Sequence, residues 1–191
     1  MLVRHATTAD TRAGLLSDHG PTPLDEQGRR QARAIGTRLA PRSFDEVLVS
    51  PVARAWETAA LAGLADQAEA VEALVEWRYG EMVGRRSADV RDERPGWALW
   101  TDGAPGGEQP AAVMDRLRPV VARLRAATGD VVVVSHGHVL RALVVAWLSL
   151  PLPTAGGMVI DPASITILSR RHGRPALVSL NERSHLVGDA T

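Results

Sequence analysis

The chain has no cysteine, and every one of its 22 basic residues is arginine. The first absence excludes disulfides, thiolate nucleophiles and thiolate-ligated metals. The second excludes lysine chemistry: no Schiff base, no pyridoxal-phosphate anchor, no P-loop lysine. An excess of charge is lacking too, because 22 acidic residues balance the basic ones, so no global field points to nucleic acid or a membrane surface. No apolar run approaches the length of a membrane span. Arg4 interrupts the one N-terminal stretch that would begin a signal sequence. These absences predict a cytoplasmic chain with neither a membrane nor a nucleic acid as partner.

What is present suits a globular protein. The 191 residues are 45% hydrophobic and 23% charged, enough for a single domain over 1–191 with a large core. Val131–Val134 is a continuous β-branched run, as in a strand covered on both faces of a parallel sheet. Before it, "PAAVMDRLRPVVARLRAATG" repeats apolar residues at helical spacing, with a kink expected at Pro119 and an end at Gly129. After it, "HVLRALVVAWLSL" reads as a buried helix stopped by Pro151.

The same unit recurs upstream. "FDEVLVSPVARAWETAALAG" places a strand at Glu46–Val49, then a helix with Ser50 as N-cap and Pro51 in its first position, ended by Gly63. "MLVRH" is a further strand, followed by a loop and a helix over Glu26–Leu39 entered through Thr22, Pro23 and Asp25. The tail alternates and turns at His172-Gly173, predicting a β-hairpin. Strands alternating with helices predict an α/β fold, a three-layer α/β/α sandwich around a mainly parallel sheet. Between Arg78 and Gly107 the pattern lapses into Gly, Pro and Trp, which reads as an inserted loop or lid (about 78–107) over a site.

Three polar clusters follow strands directly: Arg4-His5, Ser50 to Arg54, and Ser135-His136-Gly137-His138. In open α/β sheets ligands bind at the carboxyl ends of the strands, where helix N-termini favour anions. Two arginines and two histidines there describe a pocket for a compact dianion such as phosphate. Arg54, near a helix start where the macrodipole disfavours cations, is explained by a bound anion. A metal pair in "HGH" is the weaker reading, since no cysteine and no run of acidic ligands accompanies it.

The same residues resemble the signatures of the histidine phosphatase superfamily, which includes phosphoglycerate mutases and small acid phosphatases. "LVRHATT" is similar to "LVRHGET", "TPLDEQGRRQA" to "xPLTxxGxxQA", and "VSPVARAWETA" to "SSPxxRAxxTA". "VEWRYGEMVG", "APGGEQPAAVMDRL" and "VVVVSHGHVLRAL" resemble the remaining blocks, in family order across nearly the whole chain. The resemblance implies a phosphoglycerate mutase-like fold and a phosphohistidine mechanism needing neither metal nor other cofactor. His5 would be the nucleophile. Arg4, Arg54 and His136 would bind phosphate oxygens, with Gly137 beside them. Glu76 would be the proton donor and later the base, with Glu81 in reserve.

Thr11 stands where relatives carry a phosphate-contacting Asn, and its hydroxyl can still donate. Arg12, Arg78 and His138 are substrate-side candidates, and His19 reads as solvated or structural. Desolvation by Trp77, Trp97 and Trp100 would raise Glu76 toward protonation, though these tryptophans serve equally as core packing. The compact chain looks more like the small acid or broad-specificity phosphatases, acting on a small phosphorylated metabolite. A mutase and a non-catalytic phospho-ligand-binding protein are the alternatives. By resemblance alone, a homodimer is also expected.

Overall fold

The computed structural model describes residues 1–186. Strand β1 (Leu2–Arg4) leads through helix α1 (Ala9–Ala13) to helix α2 (Glu26–Leu39), strand β2 (Glu46–Val49), helix α3 (Ala53–Leu61) and the short strand β3 (Ala68–Ala70). Helices α4 (Ser87–Glu93), α5 (Leu99–Asp102) and α6 (Pro110–Ala126) precede strand β4 (Val131–Ser135) and helix α7 (Gly137–Leu148). Strands β5 (Ile165–Arg171) and β6 (Arg174–Glu182) close the order.

Six strands form one sheet in the order β3-β2-β4-β1-β5-β6. The first four are parallel, and the β5–β6 hairpin adds antiparallel strands at one edge. Its turn puts His172 and Gly173 at φ 51° and 76°, the left-handed pair that a tight two-residue hairpin requires.

Successive residues of the central strands bury against opposite faces, as the strand period of two dictates. Leu2, Leu48, Val131 and Val133 pack with α6 and α7 through Val113, Leu117, Leu140 and Leu143. Val3, Val47, Val49, Val132 and Val134 pack with α2 and α3 through Ala32, Ile35, Leu39, Ala55 and Ala59. Each Val, Leu or Ile among them contributes about 1.5–3 kcal/mol on burial. The outcome is the expected sandwich, a mixed sheet with helices on both sides. No helix among the described residues is long and apolar enough to cross a membrane.

Local signals succeed and fail for identifiable reasons. Asp25 caps α2, accepting from the Gly28 amide at 2.8 Å. Gly63, at φ 74°, follows α3 as a left-handed residue. Ser50 and Pro51, however, do not open α3. Val52 is its N-cap, because the Ser50 hydroxyl is engaged elsewhere. Nor does Gly129 cap α6. That helix runs through Pro119 and ends at Ala126. Gly129 instead lies against Asp45, whose Oδ2 would be 2.0 Å from any Cβ there.

The segment at about 78–107 is more regular than its sequence implies. It holds α4 and α5, and Met82, Val90, Leu99, Trp100 and Ala104 join the core on the α6–α7 side. Periodicity missed these helices because they are only 7 and 4 residues long.

Register aligns the chemistry. Arg4 of β1 pairs with Ser135 of β4, and Val49 of β2 pairs with Val134. His5 and His136 therefore leave neighbouring parallel strands at one level, and Ser50 leaves the third strand one residue earlier.

Candidate active site

His5 is 2% exposed, just past β1. Its amide donates to the Ser135 carbonyl at 2.8 Å, and its ring Nδ1 lies 2.8 Å from the Ala6 carbonyl oxygen. A carbonyl only accepts, so Nδ1 carries the proton and Nε2 presents a lone pair. Burial first, then the charges of Arg54, His136 and Arg4, hold this imidazole well below its ordinary pKa. It stays neutral among cations.

Arg54 projects from the first turn of α3 and donates through Nε to His5 Nε2 at 3.1 Å. Its Nη2 is fixed by the carbonyls of Ser17 and Asp18 at 3.0 and 2.6 Å. Thr58 ties the two strand ends together: its hydroxyl donates to the Arg54 carbonyl at 2.7 Å and accepts from the Ala6 amide at 3.1 Å. Arg4 donates through Nη1 to the Ile160 carbonyl at 2.6 Å. Its guanidinium lies so close to the start of α7 that a Cβ at Gly137 would stand 3.0 Å from Cζ. Gly137 thus makes room for the cation.

His136 is fully buried, with its ring centroid 5.1 Å from that of His5. Its Nε2 meets the Ser50 hydroxyl at 2.8 Å. Since the Val52 amide donates to that hydroxyl at 3.4 Å, Ser50 can direct its own proton to Nε2, leaving Nδ1 as a donor. Three buried polar atoms have no partner here: Arg4 Nε, Arg54 Nη1 and His136 Nδ1. Unpartnered buried donors are costly. An oxyanion is the kind of partner that all three lack.

Glu76 sits across the start of α7. Its carboxylate accepts from the amides of Trp77 at 2.9 Å, Val139 at 3.1 Å and His138 at 3.3 Å. Arg116 clamps the backbone beneath it, pairing with Glu108 at 2.6 Å and donating to the Ala73 and Glu76 carbonyls at 2.5 and 3.4 Å. The expected rise in the Glu76 pKa does not occur. Burial works in that direction, but hydrogen bonding with the His138 side chain and the Trp77 amide outweighs it and holds the carboxyl well below its usual range. Of the tryptophans, Trp77 and Trp100 are core residues in edge contact, with centroids 5.7 Å apart. Trp97 packs against that core and donates to the Gly103 carbonyl at 3.0 Å.

A cavity of about 140 Å³ is lined by Arg4, His5, Arg54, Glu76, Tyr79 and His138, with Thr8, Thr11 and Leu15–Ser17 opposite. Thr11 borders it, but its hydroxyl donates to the Thr8 carbonyl at 3.0 Å in a reciprocal cap of α1, so the expected donor is spent locally. Arg12 is exposed, pairs with Asp25 at 2.6 Å and lines no part of the cavity. Arg78 and His19 border a separate opening with Glu108. Glu81 is exposed, against Gly106. His138 shares a 2.6 Å hydrogen bond with the Tyr79 hydroxyl, so the two histidines of "HGH" face different partners. Among the described residues no three metal-binding side chains of the His, Cys, Asp and Glu types come together.

Sequence reasoning missed Ser50 as a partner of His136, and it missed Thr58, Tyr79 and the Glu108–Arg116 clamp. Glu108 and Arg116 both lie in "APGGEQPAAVMDRL", where their spacing was a usable signal.

The sequence pattern of the histidine phosphatase superfamily (branch 1) matches residues 1–183. The chain is 36% identical over 189 residues to an acid phosphatase of Mycobacterium tuberculosis, spanning 97% of this chain and 93% of that protein. It is 31% identical over 193 residues to the adenosylcobalamin/alpha-ribazole phosphatase of Salmonella typhimurium, spanning 96% of each. A solved structure of a Mycobacterium tuberculosis open reading frame product superposes with a TM-score of 0.89 at 36% identity, over 94% of this chain and 95% of that one. By sequence, by fold and by the phosphoglycerate mutase-like arrangement of its strand ends, this chain belongs to the histidine phosphatase superfamily.

Proposed function

We propose that the protein is a phosphomonoesterase that hydrolyses small phosphate monoesters through a phosphohistidine on His5, with no metal required. One observation carries the reading: the unprotonated Nε2 of His5, held by Arg54 Nε at 3.1 Å, is flanked by three groups, Arg4, Arg54 and His136, that each keep an unpartnered buried donor. The phosphatase names of its relatives support a small phosphorylated metabolite as substrate.

In this mechanism Nε2 attacks phosphorus, forming an N–P bond as the P–O bond to the leaving group breaks. Charge on the three equatorial oxygens is met by the guanidiniums and the His136 N–H, which are already oriented by their carbonyl and hydroxyl partners. Glu76 passes a proton to the leaving alkoxide. Its carboxylate then takes a proton from the water that attacks phosphorus, the N–P bond breaks, and inorganic phosphate departs. Glu76 is ionised before substrate arrives, so the first proton enters with the ester as its monoanion. The approaching phosphate also opposes the groups that depress the Glu76 pKa, which favours transfer of that proton to it.

The test is turnover of p-nitrophenyl phosphate with and without EDTA, together with acid-quenched trapping of radiolabelled phosphate. Chelator-insensitive turnover is expected, with label on the protein. His5→Ala should remove the label and lower turnover by about 10³-fold or more. Label retained by His5→Ala would overturn the assignment.

A further inference from the structure

Not all of the half-buried positive charge belongs to the phosphate cavity. Arg116 is answered by Glu108, but Arg141 on α7 has only carbonyl partners, Gly137 at 3.3 Å and Met158 at 3.2 Å. Its guanidinium lies 4.8 Å from the centroid of the Trp100 ring. Burial lowers its pKa, the mark of a charge whose environment does not repay its desolvation.

A second cavity, of about 380 Å³, adjoins the first, and Leu16, Ser87 and His138 line both. Its remaining walls include Met82, Trp97, Leu99 and Trp100, with Arg91 and Arg141 as its two cations. Arg91 is exposed and has no ion-pair partner among the described residues. Trp100 is held edge-on by Trp77, while the His138 ring lies 5.4 Å from it. An aromatic wall beside two guanidiniums that lack a carboxylate partner is a recognition site for an apolar body bearing an anion.

We infer that this second cavity receives the alcohol portion of the ester and selects leaving groups that combine a ring with a second anionic group, gripped by Arg141 and Arg91. The inference rests on phosphate binding beside His5 as proposed above. With phosphorus at His5, the leaving oxygen must face Glu76, and His138, whose amide binds Glu76, is in the wall the two cavities share. The alcohol portion then extends along the wall that includes Trp97 and Trp100.

Binding of non-hydrolysable phosphonates tests this without turnover. Calorimetry would compare benzylphosphonate carrying a meta-carboxylate with the neutral, isosteric meta-carboxamide. The carboxylate should bind about tenfold more tightly, as expected for one charge-assisted fork. Arg91→Gln and Arg141→Gln should each reduce that ratio at least about threefold. Because Arg141 also anchors the Met158 carbonyl, the exposed Arg91 variant keeps the test open if Arg141→Gln misfolds. Equal affinities in the unaltered protein, an unchanged ratio in Arg91→Gln, or no binding of either phosphonate would overturn the inference. The phosphatase reading is decided separately, by turnover of p-nitrophenyl phosphate.

Discussion

The Glu76 carboxylate accepts a hydrogen bond from the Val139 amide at 3.1 Å, so the proposed proton carrier is also the cap of α7. Helix α7 begins at Gly137 with His136 in the N-cap position, and that side chain makes no capping bond. A carboxylate from another part of the chain fills the role, drawn by free amides and the positive end of the helix dipole. The same helix start lies against Arg4. One structural element thus orients both the proposed proton carrier and the proposed phosphate-binding cation.

The double role makes Glu76→Gln informative. An amide keeps an oxygen for the α7 amides but carries no transferable proton. Turnover of alkyl phosphates should fall by about 10²–10⁴-fold. Esters with good leaving groups, such as p-nitrophenyl phosphate, need little protonation and should lose far less. Steady-state kcat/KM across a series of leaving groups checks this; equal losses would remove Glu76 as the acid.

The pH profile follows from two depressed pKa values. His5 lies well below its ordinary 6.5, so it stays unprotonated and nucleophilic as pH falls through that value. Glu76 is ionised, so the proton comes from the ester monoanion, whose fraction falls above about pH 6. We expect kcat/KM to be level below about pH 5, to fall to about half near pH 6 and to about a tenth by about pH 7. A rise between about pH 5.5 and 7, as for an ordinary imidazole, would contradict both assignments.

Ser50 positions His136 without touching phosphate in the proposed mechanism. Ser50→Ala leaves His136 Nε2 without its 2.8 Å partner and removes what selects the Nδ1–H tautomer. A buried polar group left alone costs about 1–3 kcal/mol. The inhibition constant of inorganic phosphate should rise about tenfold or more, and kcat should fall with it. A variant that loses only thermal stability, with phosphate inhibition unchanged, would mark Ser50 as structural.

Gly28 tests how α2 supports the site. Replacing a helical glycine by alanine ordinarily stabilises by about 1 kcal/mol. Here a Cβ would fall 2.0 Å from the Thr7 carbonyl oxygen, an immovable backbone atom. Gly28→Ala should instead destabilise by about 3 kcal/mol or more. Denaturant unfolding measures the sign directly.

The legible parts of this molecule were those governed by neighbours in the chain. The β-branched run at Val131, the Asp25 cap and the left-handed pair His172-Gly173 each express a local steric or hydrogen-bonding preference. The motif residues His5, Arg54 and His136 were legible because each directly follows a strand or opens the helix after it. The short strand β3 was not, since "AEA" has no β-branched signal and owes its pairing to β2.

The sequence alone determined an α/β sandwich and the kinds of side chain available for chemistry, because periodicity and residue type suffice for both. Only the tertiary structure decided what those side chains became. Burial pushes Glu76 toward protonation, yet hydrogen bonding with His138 of α7, more than sixty positions away, reverses the outcome. Arg12 and Arg141 are the same residue type, but one reaches Asp25 in solvent while the other is half-buried against Trp100. Charge state and ligand access depend on the sum of long-range contacts, and that sum exists only once the strands have paired in register.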